Sequence, residues 1–418
     1  MQKSNYGKFL LLWAGELISS VGGGLSSFGL GVYVFNMTGR AADMALVTLT
    51  GFLPALLLSV PAGVLADRYD RRMLMIAGDG LSAAGILYIL ICMQNGGATL
   101  VQICTGVGIS SVFSALLEPS FRATITDLLT KDEYSKASGL VSAAGSARYL
   151  FSPVIAGYLL AVSDIRLLLI IDMCTFFLTI VSAAAVKRSI SSNKTNTETG
   201  FFDSMKEGWQ TLCSERGILL LVIVSSFITM FMGMFQILAE PMILSFADVK
   251  ILGISETICA CGMLVSGVII GIRGIKRGFV KVLTVSLMLM GVFMTGFGFT
   301  EKIFIICLSG FMFFAALPFA NNCLDYLVRT NIPDELQGRA WGMIGFISQL
   351  GYIAAYGLSG TAADKIGALT GQGVGRGSAY VIMTAGIFLS VSALCIPAVK
   401  SIRELGSENR LSGSQLRS

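Results

Sequence analysis

Gly63-Val64-Leu65-Ala66-Asp67-Arg68-Tyr69-Asp70-Arg71-Arg72 decides the fold. It separates two apolar runs, each of about the 20 residues that a helix needs to cross a hydrocarbon core. Its five charges therefore stand between two segments of membrane length. A connection this short predicts a tight cytoplasmic hairpin. The helix runs to its end, Gly63 turns the chain, and the arginines hold the connection in the headgroups.

Composition agrees. The chain has 418 residues, 54% hydrophobic and only 13% charged, against about 25% charged in a soluble globular protein. So much apolar surface cannot be hidden in a soluble fold of this size. The first apolar run is too long for a signal-peptide core and lacks a small-residue cleavage site, so it reads as a retained first helix. There is no histidine, which removes imidazole bases and His-ligated metal or haem. The nine cysteines are scattered in apolar runs without a C-x-x-C pair and read as small apolar residues. No metal and no cofactor are expected.

Twelve apolar runs follow one another, at about 9–35, 42–66, 73–94, 98–119, 137–161, 166–187, 216–246, 251–272, 278–299, 302–328, 340–363 and 378–399. The expected fold class is an all-α membrane protein of twelve transmembrane helices in two pseudo-symmetric six-helix halves. The halves are 1–187 and 216–399, joined by a cytoplasmic central loop 188–215 and followed by a polar, frayed cytoplasmic tail 400–418. Within the loop, Phe201 to Cys213 reads as an amphipathic surface helix. Most of the 30 Lys and Arg residues fall on the side that holds both termini, which the positive-inside rule makes cytoplasmic. The halves repeat weakly at an offset near 202 residues, as from Gly108 to Gly310, and Tyr149 falls near Tyr352. Two related six-helix halves place a transport site near mid-membrane.

Ionisable groups inside the spans are the site candidates, because each costs about 2.5–3.5 kcal/mol on insertion scales without a partner. Glu16 lies about 12 Å along its helix from Lys8, and Arg148 about 18 Å from Lys136, at 1.5 Å per residue. Both are near the middle of a core about 30 Å thick, which invites pairing. Glu16 then binds a proton or a cationic substrate and Arg148 tunes it, or the two form a permanent structural ion pair. Asp79 and Asp172 are shallower secondary charge sites, read mainly as capping or pairing groups, with Asp79 in reach of the 63–72 arginines. Glu118 with Arg122 reads as an i,i+4 pair. Pro153, flanked by Gly145 and Gly157, interrupts the fifth run and predicts a kink or hinge. Gly360 to Gly367 also fits a G-x-x-x-D-K-x-G pattern, but the helix count puts it on the outer face, so it is not read as a gating loop.

These residues carry a resemblance over almost the whole chain. Gly63 to Arg72 is similar to the signature loop of the major facilitator superfamily, with Asp70 in place of the usual glycine. Gly51-Phe52-Leu53-Pro54, Ala77-Gly78-Asp79, Pro119, Ser152-Pro153, Ile171-Asp172, Gly338-Arg339 and Leu358-Ser359-Gly360 with Ala363-Asp364 resemble its macrolide-efflux-type branch. The resemblance implies a secondary transporter in the plasma membrane. It exports drugs or other amphipathic small molecules by alternating access, most simply against protons. A siderophore-type metabolite exporter and a lipid transporter are the alternatives. It also implies a cytoplasmic gating loop of Gly63, Asp67, Arg68, Asp70, Arg71 and Arg72. The chain departs from the superfamily in lacking an arginine in the fourth run and in carrying Ser152 where glycine precedes the proline of the fifth. Expected partners are the bilayer, an amphipathic substrate and protons, with no nucleic acid and a monomeric state. No catalytic residues are expected, since neither a nucleophile elbow nor a phosphate loop is present.

Overall fold

The computed structural model of the chain describes residues 5–187, 216–332 and 337–405. Every long element is a helix: α1 Tyr6–Thr38, α2 Ala41–Arg68, α3 Arg71–Gln94, α4 Leu100–Ser114, α5 Leu117–Leu128, α6 Tyr134–Val162, α7 Ile165–Lys187, α8 Arg216–Leu244, α9 Val249–Arg273, α10 Phe279–Phe299, α11 Ile303–Arg329, α12 Gln337–Thr370 and α13 Gly373–Cys395. A short α14, Lys400–Leu405, follows. Ten spans among the described residues are long and apolar enough to cross a membrane, with α4 and α5 together forming one of them. Helices α6 and α12 are as long but more polar, and they complete twelve. They occupy equivalent places in the two halves.

The fourth span extends beyond its expected end, because Pro119 falls in the first turn of α5. There its missing N–H is one of the donors a helix start leaves unbonded anyway. The eleventh also extends, to Thr370, so Gly360 to Gly367 lies inside a helix rather than in a loop. The chain after residue 399 is not frayed at its start. Ile402 and Leu405 are buried, and Leu405 packs against Gly217 at the start of α8. The stretch 201–213, the central loop 188–215 and the residues past 405 lie outside the described residues.

The helices cluster into two compact units. The first holds the described residues of Met1–Glu198 together with Ala247–Thr257, the second those of Thr199–Phe246 and Ile258–Ser418. The opening turns of α9 thus pack with the first unit, against α6.

In the first unit α1 packs against α6 and α7, α3 against α4 and α7, and α2 against α4. The second unit repeats this plan, with α8 on α12 and α13, and α10 on α11 and α13. Glycines set the closest approaches. Gly15, Gly22 and Gly29 recur every seven residues on α1 and face α7. A Cβ at Gly15 would stand 2.8 Å from Ser182 Oγ, and one at Gly22 would strike Thr175. In a bilayer, small residues of this kind let helix backbones approach where water drives no association.

Candidate functional site

The hairpin of residues 63–72 is built differently from its sequence reading. Gly63 does not turn the chain, since α2 continues through it to Arg68. The turn is Tyr69-Asp70, and Asp70 caps α3: its Oδ1 accepts from the backbone N–H of Arg72 at 2.9 Å and of Met73 at 3.3 Å. This gives Asp70 a structural reason to stand where a glycine is usual, because an acidic cap satisfies orphan donors at a positive helix end. Arg71 donates from Nη1 to Asp127 Oδ1 at 2.7 Å and to the Ala123 carbonyl at 2.9 Å. The Arg72 side chain is buried and lies 3.6 Å from Asp127 Oδ2. Asp127, at the end of α5, is therefore the carboxylate that both guanidiniums share. Asp79 does not reach these arginines, contrary to the sequence expectation. Asp67 is half exposed, 3.9 Å from Arg71, and Arg68 is exposed. Below the clamp, Phe9, Met75, Phe121, Leu128 and Val186 form an apolar cluster.

One buried face of α7 carries Asp172, Thr175, Thr179 and Ser182, each less than a tenth exposed. The 3–4–3 spacing puts all four on one helical stripe. Thr179 Oγ1 donates to Asp79 Oδ2, so the partner of Asp79 is α7. Thr175 and Ser182 donate to the Asp172 and Thr179 carbonyls. Asp79 Oδ1 and Asp172 Oδ1 have no hydrogen-bond partner. Gly15 and Gly22 lie over Ser182, Thr179 and Thr175, so α1 presents backbone to these hydroxyls, while its buried Ser26 stands by Asp172.

The structure does not join Glu16 to Arg148. Arg148 Nη2 donates to Ser27 Oγ at 2.8 Å, and Ser27 is eleven residues beyond Glu16, about 16 Å along α1. Counting residues from a charged helix end gives height along one helix. It does not give the stagger between two, and that stagger separates them. Glu16 is half-buried and is acted on by Glu118, while Arg148 acts on Asp172. Glu118 and Arg122 form the expected exposed i,i+4 pair at 2.9 Å.

Arg148, Tyr149, Ser142 and Gly145 are exposed on α6, next to exposed Ser27 and half-buried Gly23 on α1. These polar groups at mid-span make a wettable face. Ser152 Oγ and Trp13 Nε1 donate to the Val21 and Leu140 carbonyls, fixing α6 to α1. The three hinge candidates differ. Gly145 is open on all sides, whereas Gly157 is in backbone contact with Val249 and Gly253, and the Pro153 carbonyl meets Gly253. Sequence reasoning passes over Glu256, seven residues into α9. A lone acid in an apolar run was the available signal.

In the second unit Glu240 stands near the end of α8 with its Oε2 buried, and among the described residues of that unit no Asp, Glu, Lys or Arg is fully buried. Tyr356 donates to Gln236 Oε1 at 3.1 Å, and Ser348 bonds Ser225 at 2.9 Å. Phe235 stacks on Phe313 at 4.6 Å and meets Phe297 and Phe314. Phe279 stacks on Tyr326 at 3.6 Å, joining the start of α10 to the end of α11.

A family model described as the Major Facilitator Superfamily matches residues 12–356. The chain is 25% identical over 408 residues to Macrolide efflux protein A of Streptococcus pyogenes, covering 95% of this chain and 97% of that one. It is 21% identical over 368 residues to the Multidrug efflux pump Tap of Mycobacterium tuberculosis, covering 85% and 86% of the two chains. Its fold is similar to the solved structure of a bacterial homologue of iron transporter ferroportin in an inward-facing state. The TM-score is 0.73 at 13% identity, over 94% of this chain and 99% of that one, a likeness of fold alone.

Proposed function

The chain belongs to the Major Facilitator Superfamily, and we propose that it exports macrolide-like or other amphipathic molecules by alternating access, driven by protons. It is a membrane transporter and not an enzyme. The observation that carries the reading is the division of chemistry between the units. Among the described residues the fully buried charged side chains, Arg72, Asp79 and Asp172, lie in the first unit, whereas neutral polar groups pack among aromatic rings in the second. Rings and hydroxyls suit apolar cargo of varied shape, whereas buried carboxylates suit an ion. Similarity to a macrolide efflux protein over almost the full length supports the cargo.

In this reading the protein sits in the plasma membrane as a monomer with both termini cytoplasmic, as the basic-residue bias directs. The Arg71/Arg72–Asp127 clamp makes the 63–72 hairpin a rigid latch, and half-exposed Asp67 is its contact point. Gly145 and Pro153 supply the bend in α6.

The test is accumulation of a radiolabelled macrolide in cells with and without the protein, before and after a protonophore. The expected result is lower accumulation with the protein, abolished by the protonophore. Equal accumulation in both cells refutes export, and protonophore-resistant export refutes the energy source.

A further inference from the structure

Buried Asp79 and Asp172, half-buried Glu16 and exposed Arg148 form one group of charges in the first unit. Asp79 is acted on by Glu16 and by Asp172, and Asp172 by Arg148. Glu16 in turn feels Glu118 from the start of α5. Among the described residues, Arg148 is the cation acting on this group, and its guanidinium is engaged with Ser27. Asp79 and Asp172 are 3% and 2% exposed, and each leaves Oδ1 without a hydrogen-bond partner. At Asp79, Thr179 is already committed, donating to Asp79 Oδ2 and sharing with the Phe176 carbonyl. At Asp172, Thr175 is bonded to the Asp172 carbonyl, and the buried Ser26 hydroxyl of α1 stands beside the carboxylate. Taking a charge out of water without compensation costs several kcal/mol per ion, so two buried aspartates cannot both stand charged and dry here.

The geometry selects what compensates them. Asp79 is held by Thr179, which lies seven residues from Asp172 on α7, a separation of about 10 Å along the axis. The two orphan oxygens therefore do not converge. Hard metal cations need about six oxygens gathered on one point, and no group of acidic, His or Cys side chains able to hold a metal occurs among the described residues. A proton needs one oxygen.

We infer that Asp79 and Asp172 each hold an exchangeable proton, in a group of acids that runs from Glu16 to Arg148. The step is addition of a proton to a carboxylate Oδ1 and its return to water. Half-buried Glu16, beside exposed Glu118, and exposed Arg148 are the members of the group open to water. This deepens the proton-driven part of the proposed function and moves the ion site from the Glu16–Arg148 pair to the acids between them.

The test is infrared titration of the carboxylic-acid C=O stretch of the full chain in liposomes, which needs no drug. The wild type should show protonated-carboxyl components that disappear as pH rises and shift in deuterium oxide. Asp79→Asn and Asp172→Asn should each remove one component, with helicity by circular dichroism unchanged, and Asp79→Glu should restore one. Should an Asn variant fail to fold, the titration and deuterium shift of the wild type decide. Absence of any titrating component overturns the inference, as does a spectrum unchanged in the double Asn variant or one lost only in Glu16→Gln. A component displaced by sodium in place of choline at fixed pH assigns a cation site instead and also overturns it. A titrating component in a chain that does not lower macrolide accumulation keeps this inference and sinks the export reading.

Discussion

At the start of α3, Arg71 and Arg72 close on Asp127 at the end of α5; at the start of α10, Phe279 stacks on Tyr326 at the end of α11. The same junction of the same helix plan is tied by charge in the first unit and by rings in the second. The contrast recurs at the centre. Arg148 and two buried aspartates stand by α1, while Tyr356, Gln236 and phenylalanines stand by α8. Helix packing permits the difference. Where α6 meets α1, Gly24 on α1 lies against Ser152 and the Arg148 stem. Where α12 meets α8, glycines stand on both helices: Gly233 on α8 against Tyr352, Ala355 and Tyr356, and Gly351 on α12 against the backbone of Ser226 and Met230. One packing plan thus carries a guanidinium stem beside the glycine in the first unit and tyrosine rings in the second.

Substitutions can break this contrast at graded cost. The largest effect belongs to Asp127→Ala, which removes the carboxylate shared by Arg71 and buried Arg72. Losing one partner of a buried pair costs about 3–5 kcal/mol, read as a sharp fall in the thermal midpoint of the detergent-solubilised protein. Gly351→Ala comes next, because the new Cβ meets backbone that cannot rotate away. About 1–3 kcal/mol is expected for such overpacking. Gly24→Ala should cost less, since its obstacle is the Ser152 side chain, and equal midpoints for the two would refute the distinction between a backbone and a side-chain obstacle. Phe279→Leu should lose the stacking part alone, about 0.5–1.5 kcal/mol. Asp67→Ala should stay within about 0.5 kcal/mol, as for exposed pairs, while lowering macrolide export if the hairpin is a latch.

The chain's charge pattern made the hairpin, the twelve spans and the two halves legible, because crossing a membrane constrains composition over long windows. The mechanics of the hairpin were not legible. Asp70 as a cap depends on where α2 ends, and Asp127 is more than fifty residues from its arginines. The site was half legible. An acid in an apolar run marks Glu16, Asp79 and Asp172 alike, but sequence gives depth and not the face a residue shares with its neighbours. Burial of Asp79 against Thr179, rather than among the arginines, follows from how α3 rotates onto α7. The stagger of α1 against α6, which parts Glu16 from Arg148, is likewise a property of packing.

Assignment of the ion step to the first unit and of cargo selection to the second is tested most directly by macrolide transport in proteoliposomes, comparing gradient-driven accumulation with counterflow exchange that needs no gradient. Asp79→Asn with Asp172→Asn should lose accumulation under an imposed pH gradient at least tenfold and keep counterflow. Tyr356→Phe with Gln236→Leu should alter which macrolides are carried and keep the response to the gradient. The reverse pattern, coupling lost in the second unit and preserved without the two aspartates, would contradict the account.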